Sequence, residues 1–139
     1  MALFLNDEQS MLRDTARGFV ADAAPVRHMR ALRDGGDTTG FDRALWRQFA
    51  EMGFTGVMVA EADGGLGLGH VEAGIICEEI GRNLTPSPFL ATAIGAVSAL
   101  SAGSADQRAR WLPDILAGKA VAALAVDDVD ARLVDLEVV

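Results

Sequence analysis

The sequence predicts a mainly α fold, a bundle of five to six helices that ends in a short β segment. Three features specify it. Apolar residues recur at helical spacing in successive segments, each opened by a capping residue and closed by glycine or proline. Two Ser/Asn-x-x-Gln patterns, Asn6 to Gln9 and Ser104 to Gln107, mark helix starts. Near Ala120 the pattern changes to a short apolar run of the kind strands carry. Residues 1–119 are therefore expected to form one helical domain, with 120–139 as the start of a β segment.

The first helix begins at Asn6 as N-cap, with Asp7 and Glu8 at the positive end of its dipole. Leu12, Ala16, Phe19, Val20 and Ala23 draw its apolar stripe, and Pro25 ends it. Residues 26–33 add a short basic helix with Arg27, Arg30 and Arg33, followed by a flexible loop over residues 34–40. Asp42 caps the next helix, whose buried face is Leu45, Trp46, Phe49 and Ala50. Phe41 and Trp46 stand as a hydrophobic staple, and Gly53 is the C-terminal glycine.

An apolar run, Val57 to Ala60, then meets a glycine loop with four glycines in six residues: Gly64, Gly65, Gly67 and Gly69. Such a backbone must turn sharply or approach something closely. Apolar run, glycine loop and helix is also the order of a dinucleotide-binding turn. The spacing excludes it, because counting from Gly65 the third fingerprint position falls on His70. No parallel-sheet pattern surrounds the loop either.

Val71, Ile75, Ile76 and Ile80 define the following helix, which ends near Asn83, with Glu72, Glu78, Glu79 and Arg82 on its wetter side. Pro86 and Pro88 break the chain. The helix from Phe89 to Ser101 is apolar nearly all round and is expected to be central. The last helix opens at Ser104, buries Trp111, Leu112, Ile115 and Leu116, is kinked or interrupted by Pro113 after Leu112, and closes at Gly118. Ala120 to Val126 reads as a strand, and Leu133 to Val139 hints at another. A strand without partners is marginal, so this tail is expected to pair with something else or to fray.

Composition narrows the function. The 139 residues suffice for one domain with a real core, and half of them are apolar. A formal net charge of −8 would repel phosphate backbones and anionic lipid, so nucleic acid is not an expected partner. The longest apolar stretch, Phe89 to Leu100, is too short to span a bilayer, and the N-terminus lacks the basic start of a signal peptide. A single cysteine, Cys77, makes no internal disulfide and suits a reducing cytoplasm.

No catalytic or metal-binding constellation is legible. His28 and His70 have no second ligand at helical spacing. Cys77 sits among isoleucines as an inert thiol. Glu78 and Glu79 are adjacent on a helix, point apart and read as a solvated face. Phe19, Trp46, Phe49 and Trp111 fall on core stripes.

Several strings, taken in order, resemble the N-terminal helical domain of the flavin-dependent acyl-CoA dehydrogenases. Leu5 to Arg13 is similar to that family's first helix, Leu45 to Val57 to its second helix and exit, and Gly64 to Leu68 to its glycine loop. Glu78 to Arg82 resembles the helix after that loop, and Gly103 to Gln107 with Trp111 to Lys119 the helix before its β domain. The resemblance covers residue 5 to about residue 126.

It implies FAD as cofactor, an acyl-CoA thioester as substrate, and an oligomer. In the family a glutamate removes the α-proton while the β-hydrogen passes to the flavin as hydride, giving a trans-2-enoyl-CoA. The resemblance places that glutamate and most flavin contacts in a β-barrel and a C-terminal helical bundle that these 139 residues do not carry. No catalytic residue is therefore assigned here, and the partners implied are the remaining domains or a partner subunit. The family's Thr-Glu-Pro turn followed by Gly-Ser is replaced by Asp127, Asp128 and Val129. A carboxylate at Asp127 would stand where the family puts a neutral donor, which is unfavourable beside an electron-rich reduced flavin.

By position, Leu124, Val126 and Asp127 are the candidate flavin contacts, and Phe89, Leu90 and Ala93 the candidate wall of the acyl pocket. Plain core packing is the competing reading of the second set. For the whole chain the competing reading is a non-catalytic helical interaction or regulatory subunit that kept the fold without the chemistry.

Overall fold

The computed structural model describes residues 4–125. Within them lie six α-helices and no strand: α1 (Asp7–Ala23), α2 (Val26–Asp34), α3 (Arg43–Glu51), α4 (His70–Arg82), α5 (Val97–Ser101) and α6 (Ala105–Leu116). Two 3₁₀ turns, Phe54–Gly56 and Glu61–Asp63, lie between α3 and α4, and a π-helical stretch, Leu90–Ala96, runs directly into α5.

The caps act as the sequence requires. The Asn6 side chain accepts from the Gln9 amide at 2.7 Å, while Gln9 accepts from the Asn6 amide at 3.1 Å. Ser104 and Gln107 repeat the same reciprocal pair at the start of α6. Asp42 accepts from the Ala44 amide at 2.7 Å at the start of α3. Such caps each contribute about 1 kcal/mol, because helix N-termini otherwise leave amides without partners.

Helices α1 and α4 run side by side and parallel, as three contacts in register along both show. Gln9 Nε2 donates to Glu72 Oε1 at 2.8 Å, Arg17 donates to both Glu79 oxygens at 2.9 and 3.2 Å, and Thr85 Oγ1 donates to the Ala24 carbonyl at 3.4 Å. Over this pair lies an aromatic core centred on Phe49. Its ring centroid is 5.4 Å from Phe19, 5.8 Å from Phe54 and 6.4 Å from Phe89. The Phe19 and Phe54 contacts are edge-on, the geometry that the ring quadrupoles favour. Each fully buried phenylalanine contributes about 1.5–3 kcal/mol relative to exposure. A second, aliphatic cluster joins Val59, Val97, Leu100, Leu112 and Ile115 to Ala120 and Ala122.

Four expectations are corrected. Val71 is exposed, because α4 buries Ala73, Ile75 and Ile76, with Cys77 and Ile80 part-buried against the core, and the stripe is headed by an alanine that carries little hydrophobic signal. Glu79 is fully buried rather than on the wet side, since Arg17 reaches it from α1. The interruption expected at Pro113 does not occur, since α6 runs through it to Leu116. Pro113 lies on the exposed side, as does Ala109, whose carbonyl loses its helical donor to the proline and can turn to water. The run Ala120–Leu124 forms no strand among the described residues, while the second strand expected over 133–139 lies outside them.

Candidate functional site

The glycine loop closes on the chain itself. The Gly65 amide donates to the Ala60 carbonyl, Leu66 to Gly56, Gly67 to Val59 and Leu68 to Val57, at 2.8–3.1 Å. A Cβ at Gly65 would lie 2.1 Å from the Val59 carbonyl oxygen, so only glycine permits the approach. The close approach the sequence demands is thus to Val59 and not to a phosphate. Glu72 secures the exit by accepting from the Gly69 amide at 3.0 Å, and α6 holds the entry. Thr55 Oγ1 donates to the Leu116 carbonyl at 3.1 Å, and Arg108 pairs with Asp63 at 3.1 Å.

The candidate pocket residues divide by burial. Phe89 and Ala93 are sealed in the aromatic core, at 1% and 0% exposure, where they support the helix from within. Leu90 points outward at 68% exposure, and Leu124 is 39% exposed. A methyl at Gly95 would lie 3.6 Å from the Leu90 carbonyl oxygen and 4.0 Å from Leu124 Cβ, so Leu124 meets the π-helix at Gly95, about one turn on from Leu90. Val126 and Asp127 lie outside the described residues.

Sequence reasoning missed two polar features. The first is the buried Glu79 carboxylate, which Arg17 and, at 3.4 Å, Arg82 surround. The hydrogen bond from Arg17 outweighs burial and holds this carboxyl below its ordinary value. The second is Thr92, fully buried in the π-helix. Its hydroxyl donates to the Ala122 carbonyl at 2.8 Å and accepts from the Ala122 amide at 3.1 Å. A threonine inside an apolar run was the available signal. Its partner thirty residues on was not visible.

Other candidates are quiet. Burial pushes the Cys77 thiol up, away from the thiolate a nucleophile needs. Among the described residues no three His, Cys, Asp or Glu side chains are placed to hold a metal ion, and no helix is long and apolar enough to cross a membrane. A cleft of about 400 Å³ is lined by Thr38, Thr39, Phe41, Arg43 and Val121, beside the start of the run that carries Leu124.

Residues 6–119 match the protein family described as acyl-CoA dehydrogenase, N-terminal domain. The chain is 34% identical over 122 residues to acyl-CoA dehydrogenase IpdE2 of Mycobacterium tuberculosis, covering 87% of this chain and 37% of that protein. It is 31% identical over 137 residues to the mitochondrial isovaleryl-CoA dehydrogenase of Arabidopsis thaliana, covering 94% of this chain and 32% of that one. Among solved structures, a variant of the Tcur3481-Tcur3483 steroid ACAD superposes with a TM-score of 0.78 at 32% identity, covering 89% of this chain and 34% of that one. The chain spans 37% and 32% of the length of the two curated relatives.

Proposed function

The chain belongs to the acyl-CoA dehydrogenase family, as its N-terminal helical domain, and from this we propose that it forms one wall of the acyl pocket and part of the flavin site of an FAD-dependent acyl-CoA dehydrogenase. The observation that carries the reading is that exposed Leu90 and part-exposed Leu124 lie on adjoining segments, with Leu124 meeting the π-helix at Gly95, about one turn on from Leu90. An apolar surface left open between two anchored segments suits an acyl chain or the edge of a flavin ring.

The described residues fit FAD as an apolar flank only: Leu124 would lie against it, and Val126 and Asp127 are the further candidates by position. Bound FAD would supply the two-electron acceptor for the β-hydrogen of the thioester. The chain's own work is to exclude water and to hold its wall rigid. Phe89 and Ala93 act from inside, since their packing fixes the helix on which Leu90 stands. The base and the remaining flavin contacts would come from other domains or a partner subunit, as would the rest of an oligomer.

Mixing the chain with a partner subunit or segment that carries the β-barrel and the C-terminal bundle should give a yellow complex whose flavin absorbance is bleached by an acyl-CoA. No flavin retention in any combination, with the helical fold intact by circular dichroism, would reject this reading in favour of a non-catalytic helical subunit.

A further inference from the structure

We infer that Thr92 is a positioning residue: its hydroxyl fixes the Ala120–Leu124 run at one register against the Leu90–Ala96 π-helix, and so sets where Leu124 stands against that helix at Gly95. The contact stands on geometry alone, and its functional meaning rests on the pocket reading above. Thr92 Oγ1 bonds both backbone polar groups of one residue, donating to the Ala122 carbonyl at 2.8 Å and accepting from the Ala122 amide at 3.1 Å. That is the pairing a neighbouring strand would give, compressed into a single side chain. Thr92 is 0% and Ala122 4% exposed, so water cannot take over either bond. The Thr92 backbone amide is engaged separately, donating to the Pro88 carbonyl at 2.8 Å.

The arrangement is selective for register. A hydroxyl has one proton and can close this two-bond ring on one residue at a time. Ala120 and Ala122 face the aliphatic core while Leu124 is left part-exposed. A slip of one residue would turn Ala122 outward and drive Val121 or Ala123 into its place, changing the side chain offered against Gly95. The π-helical winding belongs to the same device. π-turns inside helices are rare and often mark functional positions, and this one holds Thr92, the exposed Leu90 and Gly95.

The test is amide hydrogen exchange by NMR on the 139-residue chain. Thr92→Val, which keeps the shape and removes both bonds, should speed exchange at the Ala122 amide about tenfold or more, with α1 and α4 unaffected. Thr92→Ser should restore protection. Unchanged exchange in Thr92→Val, or no rescue by serine, overturns the assignment. Should the valine variant fail to fold, the wild-type spectrum decides. A slowly exchanging Thr92 hydroxyl proton close to the Ala122 amide supports the pin, and its absence refutes it. In the assembled flavoprotein, Thr92→Val should shift the flavin absorbance band and Thr92→Ser should return it. A band that stays in place in Thr92→Val denies Thr92 any positioning role toward the flavin. A wild-type assembly without flavin defeats the pocket reading instead, and the exchange result still decides the contact.

Discussion

The glycine loop and the Ala120–Leu124 run both lack regular structure, yet they are held in opposite ways. The loop is stitched to residues 56–60 by four backbone hydrogen bonds and sealed at Gly65 by contact with Val59. It satisfies itself, and its glycines serve packing. The run is tied by the Ala120 amide to the Asp114 carbonyl at 3.1 Å and by the Thr92 hydroxyl at Ala122, and it leaves Leu124 part-exposed. A segment whose polar groups are met within its own neighbourhood is finished. A segment held by a hydroxyl borrowed from thirty residues away depends on another element for its place. Glycine density, the loudest signal in the sequence, thus marks architecture, while a quiet threonine fixes a distant segment.

That contrast can be broken or sharpened by experiment. Gly65→Ala should have the largest effect, a loss of about 3 kcal/mol in urea unfolding, because its Cβ would overlap backbone that cannot yield. A loss below about 1 kcal/mol would mean that the loop can relax and is not sealed.

Acid should separate the two regions next. The Glu72 carboxyl is held below its ordinary 4.5, first by the hydrogen bond from Gln9, and Glu79 likewise by Arg17. A carboxyl with a lowered folded-state value adds stability that is fully present above about 4.5 and is lost as pH falls through that folded value. Stability should therefore hold from neutral pH to about 4.5 and then fall, with the α1–α4 seam and the loop exit opening. Exchange at Ala122 should lag, because its anchor is a hydroxyl that does not titrate. Glu72→Gln and Glu79→Gln should each flatten the acid slope of thermal melts, and an unchanged slope in both would remove the seam from the acid response.

The smallest effect on stability should come from Leu90→Ser. At 68% exposure the change should stay within about 0.5 kcal/mol in the isolated chain, yet weaken the response of the assembled flavoprotein to acyl-CoA. A large stability loss would place Leu90 in the core and remove it from the pocket wall.

Much of the fold is legible in sequence because its signals are local. Asn6 with Gln9, Ser104 with Gln107, and Asp42 at α3 are caps within one turn, and each forms as read. Gly53 takes the left-handed conformation, with φ of 78°, that its place after α3 requires. The candidate site is legible only in part. The helix after Pro88 and the run before residue 126 are where the sequence puts them, but that Phe89 and Ala93, four residues apart, turn inward and Leu90 outward was decided by which face of this nearly all-apolar helix meets the core.

The sequence by itself determined where helices start and stop, which stripes are apolar, and the family, because capping, turn chemistry and hydrophobic period act over a few residues. Tertiary structure alone decided that Glu79 is buried against Arg17, that the glycines close on Val59, and that Thr92 holds Ala122. Two of these join groups 62 and 30 residues apart, and even the glycines reach back across a loop that no periodicity describes, so no local rule can say which partner will satisfy a polar atom until folding brings them together.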